Sequence, residues 1–349
     1  MKYLITGTAG FIGFHVAKKI LEKGDYVLGL DNINDYYDTR MKYARLNELG
    51  IEKKEIEHNK ILNSMIFENH QFINIDLEDR INVEKVFKKI KFDIVINLAA
   101  QPGVRYSLVN PYRYVNSNLN GFLNILESCR HNPVKHLIFA SSSSVYGLNK
   151  KMPFSVQDNV DHPISLYAAS KKSNELMAHS YSYLFNFPVT GLRFFTVYGP
   201  WNRPDMAVYL FSKAIMENET INVYNFGDMW RDFTYVDDIV DCILKVVEHP
   251  PKGNSKWSQE IPDPSSSIAP YKIYNVGNNS PIKITEVIEL IEKGLGKKAK
   301  IKFQPLQPGD LTKTFADIDD LIKDFNFKPK IPFEEGVKHF INWFVSYYK

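Results

Sequence analysis

The chain has 349 residues, 44% hydrophobic and 24% charged, with a formal net charge of +3. That length exceeds what one hydrophobic core usually organises and predicts a large domain with a smaller appended lobe. Lys and Glu alternate through EKKEIEHNK and no basic block occurs, which argues against nucleic acid as a partner, because phosphate neutralisation needs clustered cations.

The opening MKYLITGTAGFIG has an apolar run too short, and too broken by glycine, for a signal peptide. No later stretch approaches the length of a membrane span, so no membrane insertion is expected. Cys129 and Cys242 each sit in an apolar helical pattern and read as buried free thiols, which fits a reduced, cytoplasmic protein.

KYLIT predicts a strand, and GFHVAKKILEKG a helix that places Val16, Ile20 and Leu21 on one face and stops at Gly24. YVLGLD, FINID, FDIVINLAA and HLIFASSS predict four more strands, most of them separated by helical patterns such as VNSNLNGFLNILESCR. Near-continuous apolar strands alternating with helices imply a parallel sheet covered on both faces. The fold class expected is therefore α/β, a doubly wound parallel sheet of Rossmann type with a smaller mixed α/β lobe.

After residue 190 the rhythm loosens. INVYN, YKIYNVG and KIKFQ are strand candidates, and PPKGNSKWSQEIPDPSSSIAPY reads as a polar surface excursion. LGIEKKEIEHNKILNSMIFENH is a second excursion, charged and helical in character. The expected division is 1–190 for a dinucleotide-binding domain, with returns to its sheet near 230–250 and 270–280. Residues 191–349 then form most of an interleaved second lobe.

Gly7, Gly10 and Gly13 stand in TGTAGFIG between the first strand and helix, with Phe11 and Ile12, also expected at the cofactor, between the last two glycines. Glycine there lets the backbone turn tightly and approach a pyrophosphate, which the helix N-terminus stabilises. The second strand ends in Asp31, followed by Asn32. An acid at that point accepts hydrogen bonds from a ribose 2′-hydroxyl and repels a 2′-phosphate, so NAD is preferred over NADP. The alternative is a structural turn beside a solvated Asp31. Asp76 and Leu77 end the third strand, where adenine would border it, and Ala99 and Ala100 follow the fourth, small enough for a dinucleotide to lie across the sheet edge.

Tyr167 and Lys171 lie four apart in SLYAASKKS and share a helix face. A neighbouring ammonium and a cationic nicotinamide would both favour the phenolate, making the tyrosine a usable base near neutral pH. The spacing alone recurs by chance. It gains weight from the glycine fingerprint and from the serine cluster ASSSSVYG at the tip of the fifth strand.

TGTAGFIG, SSSSVYG, YAASK, RDFTYVDDI and QPGDL together resemble the extended short-chain dehydrogenase/reductases that modify nucleotide sugars, nearly end to end. The resemblance implies a triad of Ser142, Tyr167 and Lys171 over tightly held NAD, with Tyr167 and Lys171 also holding the cofactor. It implies that Asn118 in NSNLNG supports the cofactor and the active-site helix. It also implies a homodimer, packed through helices around 114–130 and 167–186.

Dehydratases and decarboxylases of this family carry acidic residues just after the triad Ser or Thr. Here those positions, both on the substrate side, are Ser143 and Ser144, which cannot easily supply a proton near neutral pH. C4 epimerisation remains. RFFTVYGPWNRPDMA resembles the segment that marks UDP-glucuronate 4-epimerases, where the resemblance gives Thr196 and Arg203 the C6 carboxylate. A guanidinium fork pairs bidentately with a carboxylate and a hydroxyl adds a donor. Arg203 could otherwise be a surface charge beside a Pro-rich turn. The chain departs from the family pattern at Asn202, where glycine is expected, and at Pro102, where alanine is. By the same resemblance Arg231 and Asp310 contact UDP, and Val223 and Tyr224 lie where uracil is sandwiched.

Nine histidines show no metal-ligand spacing, so no metal site is expected. The expected activity is NAD-dependent conversion of UDP-glucuronate to UDP-galacturonate for surface polysaccharide. An epimerase of UDP-galactose or UDP-N-acetylglucosamine is one alternative, and a non-catalytic NAD-binding sensor or scaffold another.

Overall fold

The structure is a computed structural model and describes residues 1–307 and 310–349. The chain divides into two compact units. The first comprises 1–149, 156–193 and 242–274, and the second 150–155, 194–241 and 275–349.

The first unit is built on an eight-stranded sheet. Its strand order is Tyr271–Val276, Val189–Phe194, His136–Ser142, Ile94–Asn97, Lys2–Thr6, Tyr26–Asp31, His70–Asn74, Ile61–Asn63. Lys2–Thr6 pairs in parallel with Tyr26–Asp31 on one side and with Ile94–Asn97 on the other. All four residues of Ile94–Asn97 and all but the first of Lys2–Thr6 are buried, as the unbroken apolar runs require of a sheet covered on both faces. The chain begins at Lys2–Thr6, builds outward to one side, then returns to Ile94–Asn97 and builds to the other. The order therefore reverses between these two strands, and their carboxyl ends flank the crevice where such sheets take ligands.

The charged excursion is not helical beyond a single 3₁₀ turn, Lys53–Glu55. The preceding helix Thr39–Glu48 is cut off by Gly50 at φ +76°, and Ile61–Asn63 instead pairs antiparallel with His70–Asn74, matching Leu62 to Phe72. The hydrophobic face of that edge strand, not the local charge pattern, decides its conformation.

The second unit holds a three-stranded sheet, Pro281–Lys283, Trp230–Tyr235 and Thr196–Tyr198, and a parallel pair, Lys300–Phe303 with Thr220–Val223. The segment near 230–250 thus divides differently from expectation. Trp230–Tyr235 belongs to this small sheet, and only the later half of the helix Val236–Val247 falls in the first unit. Packing decides it: Phe233 and Tyr235 lie against Tyr198, at ring-centroid distances of 6.0 and 5.6 Å, and Phe333 closes the cluster at 4.9 Å from Tyr198. Buried Asp232 ties the same strand down by accepting backbone hydrogen bonds from Asn278, Asn279 and Ala316. Desolvation raises its carboxyl above the usual range, against those three bonds.

Candidate active site

In the first unit the glycine turn follows Lys2–Thr6 directly. Gly7 has φ +80° and donates to Leu30 O at 2.7 Å, so the turn is stitched to the neighbouring strand. A Cβ at Gly13 would collide with the Gly7 carbonyl. Glycine at 13 is what lets the helix Phe11–Glu22 start against the turn, leaving a cradle of backbone amides at its N-terminus. At the crevice Thr6 Oγ1 donates to Asn97 Oδ1 at 2.8 Å and accepts from Ala99 N at 3.0 Å, fixing the strand ends that precede Gly7 and Ala100.

Asp31 is buried. Its Oδ1 accepts from Ile33 N at 2.8 Å and its Oδ2 from Ala9 N at 3.1 Å, so the carboxylate is locked to both the glycine turn and its own loop. Each oxygen retains acceptor capacity for a ribose hydroxyl. Asn32 donates to Asp76 Oδ2 at 2.8 Å, joining the ends of the second and third parallel strands, and Leu77 is buried beside them. The fully buried Arg45, which sequence reasoning missed, donates to Ala9 O at 2.8 Å and braces the same turn from the helix Thr39–Glu48. Cradle, acid and small residues fit a dinucleotide.

Tyr167 stands in the first turn of the helix Leu166–Phe185, which Ser165 caps by accepting from Ala168 N at 3.1 Å. Lys171, one turn on, is buried at 4% exposure and donates to Ala140 O at 2.8 Å; burial holds its ammonium down to about 8. Ser142 ends the strand His136–Ser142, and its hydroxyl donates to Ser144 Oγ at 3.1 Å while accepting from Ser144 N at 3.2 Å. Ser143 and Ser144 open the 3₁₀ turn that follows, both half-buried.

Asn118 lies in a π-helical turn, Val115–Asn120, a local widening that frequently marks functional sites. It is fully bonded: Oδ1 accepts from Gln101 N at 2.7 Å, and Nδ2 donates to Gln101 O at 3.1 Å and to Ser170 Oγ at 2.9 Å. Asn118 therefore couples the loop after Ala100 to the helix of Tyr167. Tyr114, also missed, packs its ring 6.1 Å from that of Tyr167, and its hydroxyl lies 2.8 Å from the Pro102 carbonyl oxygen. Behind Lys171, Glu175 forms a buried bidentate pair with Arg193, at 2.8 and 2.9 Å, and accepts from Ser141 Oγ at 2.7 Å. Burial would raise the Glu175 carboxyl, but the guanidinium and its hydrogen bonds hold it below the usual range.

The second unit holds the remaining candidates. Thr196 opens the strand Thr196–Tyr198 and is half-buried. Arg203 pairs bidentately with Asp205, Nε to Oδ1 at 2.9 Å and Nη2 to Oδ2 at 2.8 Å. Asn202 is fully buried, and its Oδ1 accepts from Arg203 N at 2.8 Å, so a side-chain bond holds the loop where glycine was expected. Arg231 donates to Asp310 Oδ1 at 2.8 Å, bringing the two expected UDP contacts into one pair. Pro308 and Gly309 of the QPGDL motif lie outside the described residues. Val223 is buried at the end of its strand, with half-buried Tyr224 next to it. Among the described residues no cluster of three or more His, Cys, Asp or Glu could hold a metal, and no helix is long and apolar enough to cross a membrane.

A glycine turn at the switch point, with a tyrosine and lysine on one face of the helix beyond the fifth parallel strand, is the arrangement of the extended short-chain dehydrogenase/reductases. Residues 3–277 match the model of the NAD dependent epimerase/dehydratase family, and the chain belongs to that family; NAD is its cofactor. The chain is 54% identical to protein CapI of Staphylococcus aureus over 349 residues, covering all of both chains. It is 43% identical to a probable UDP-glucuronate 4-epimerase of Rhizobium meliloti over 350 residues, covering 100% of this chain and 98% of the relative. The crystal structure of a UDP-glucuronic acid 4-epimerase from Bacillus cereus, in complex with UDP-glucuronic acid and NAD, superposes with a TM-score of 0.83 at 29% identity, covering all of both chains.

Proposed function

We propose that this enzyme is a nucleotide-sugar 4-epimerase that interconverts UDP-glucuronate and UDP-galacturonate through a transient 4-keto sugar. The observation that carries the uronate reading is the 43% identity, over 350 residues, to a probable UDP-glucuronate 4-epimerase, together with an Arg203 guanidinium whose fork meets a carboxylate, that of Asp205, bidentately.

Tyr167 takes the proton of the sugar 4-hydroxyl onto its Oη. Its place in the first helical turn and the ammonium of Lys171 both favour the phenolate. Ser142, oriented by Ser144, hydrogen-bonds the same sugar oxygen. NAD bound there would supply a reversible hydride acceptor for C4, and inversion would require the 4-keto sugar to turn over in the site before the hydride is restored. Gly7, Gly10, Phe11, Ile12, Gly13, Asp31 and Asn32 hold its adenosine and pyrophosphate end, and Ala99, Ala100 and Asn118 line the rest. Thr196 and Arg203 bind the C6 carboxylate; Arg231 and Asp310 bind UDP, with Val223 and Tyr224 at the uracil. Ser143 and Ser144 carry no carboxyl, consistent with epimerisation without loss of water or carbon dioxide.

The product serves surface-polysaccharide synthesis in the cytoplasm, and the enzyme works as a homodimer. Exposed Leu176, Tyr183, Leu184 and Phe185 on one helix, with Leu123 on the helix Gly121–His131, support a second copy as the cover. The test is NMR of the purified protein incubated separately with UDP-glucuronate, UDP-galactose and UDP-N-acetylglucosamine. UDP-galacturonate as the one product supports the reading. Conversion of a neutral sugar alone removes the carboxylate assignment, and no conversion by NAD-loaded protein removes the enzymatic one.

A further inference from the structure

Lys2–Thr6 lies between Tyr26–Asp31 and Ile94–Asn97, and all three strands run parallel. The segments leaving the carboxyl ends of the two outer strands therefore emerge on opposite flanks of the glycine turn. These segments meet. The ring of Tyr36, on the loop after Asp31, lies 5.1 Å from that of Tyr106, which opens the short helix Tyr106–Val109 beyond Ala100. Gly103 permits the approach: it has φ +98°, and a Cβ there would collide with the Tyr36 hydroxyl.

Each side is anchored away from the contact. Asn34 Oδ1 accepts from Lys42 Nζ at 2.9 Å and from Tyr36 N at 3.3 Å, while the Tyr37 hydroxyl accepts from the buried Arg45 at 2.7 Å. The helix Thr39–Glu48 thus holds the first segment. On the second, buried Tyr114 backs the Tyr106 ring at 6.3 Å and sets its hydroxyl on the Pro102 and Gly103 carbonyls. We propose that Tyr36 and Tyr106 form a clasp across the dinucleotide crevice that retains NAD. Release of a dinucleotide held on the glycine turn requires the two segments to part, which breaks the ring pair. Epimerisation leaves the cofactor unchanged overall, so slow release costs the cycle nothing, whichever sugar is bound. The alternative is packing that steadies the loops without gating the cofactor.

The experiment mixes NAD-loaded protein with excess isotopically labelled NAD. Mass spectrometry follows the unlabelled cofactor still bound, alongside the melting temperature in saturating NAD. Tyr36→Ala and Tyr106→Ala should each speed exchange about three- to tenfold, the kinetic equivalent of one aromatic pair. Tyr36→Phe keeps the ring and should exchange within about twofold of wild type. The double alanine variant should be no faster than the faster single one, because one contact can be broken only once. Unchanged exchange in both single variants overturns the clasp, and a lowered melting temperature beside it assigns the rings to packing. Effects that multiply in the double variant also overturn it, since the rings would then act separately. Exchange as fast in Tyr36→Phe as in Tyr36→Ala does the same, by giving the effect to the hydroxyl.

Discussion

Glu175→Gln tests whether the buried pair that ties the helix Leu166–Phe185 to the strand Val189–Phe194 organises it. Glu175 and Arg193 are 2% and 0% exposed in their side chains, so removing the carboxylate's charge leaves a guanidinium without compensation in a low-dielectric setting. Glutamine can still accept one of the two Arg193 bonds, but its amide then faces an N–H donor at the other. Breaking one partner of such a pair costs about 3–5 kcal/mol, against about 0–1 for an exposed one. Urea denaturation followed by circular dichroism should show the midpoint falling by that cost with little change in slope. Adding Arg193→Met should recover part of the loss, because the stranded charge is then gone. A loss below about 1 kcal/mol in the single variant, or no recovery in the double, would refute the assignment of Glu175 as the compensating charge.

Tyr167→Phe should lower kcat by about 10²–10⁴-fold while leaving UDP-sugar affinity close to wild type, measured by NMR turnover and calorimetry; retained turnover would remove Tyr167 as the base. Gly13→Ala forces a Cβ into the Gly7 carbonyl, so purified protein should carry less NAD, read from its absorbance after denaturation. Lys171 is held down to about 8 in the folded protein against an ordinary 10.5. Between those values the unfolded chain keeps a proton that the folded one has released, so the lysine's burial cost is full below about pH 8 and is relieved toward pH 10.5. The melting-temperature difference between wild type and Lys171→Met should therefore shift in favour of wild type across that window; parallel curves would contradict it.

The parts legible in the sequence are those whose signal is local. TGTAGFIG carries its own turn and helix start, Asp31 ends a strand that periodicity locates, and Tyr167 and Lys171 share a helix face by spacing alone. Arg193 gave no such signal: one charge in the buried strand GLRFF, its partner 18 residues upstream on a helix, becomes intelligible when both are seen to be buried. Tyr114 is equally silent, since a buried hydroxyl can be predicted only by locating the carbonyl it bonds. Asp205 stood in the quoted segment yet was not read as Arg203's partner, because a charge beside proline reads as surface turn. The sheet joined by Trp230–Tyr235 was misjudged because strand propensity does not say which partner a strand finds; aromatic packing on Tyr198 does.

The division of the chain has an engineering consequence. The polypeptide passes between the units five times, once inside the helix Val236–Val247 and twice inside strands, Val189–Phe194 and Tyr271–Val276. Neither unit can be excised as a contiguous fragment, and exchanging the second one wholesale with a relative would sever a helix and two strands. On the proposed carboxylate role of Arg203, sugar preference would be altered by short replacements inside existing loops, with the eight residues from Gly199 to Met206 as the unit of exchange.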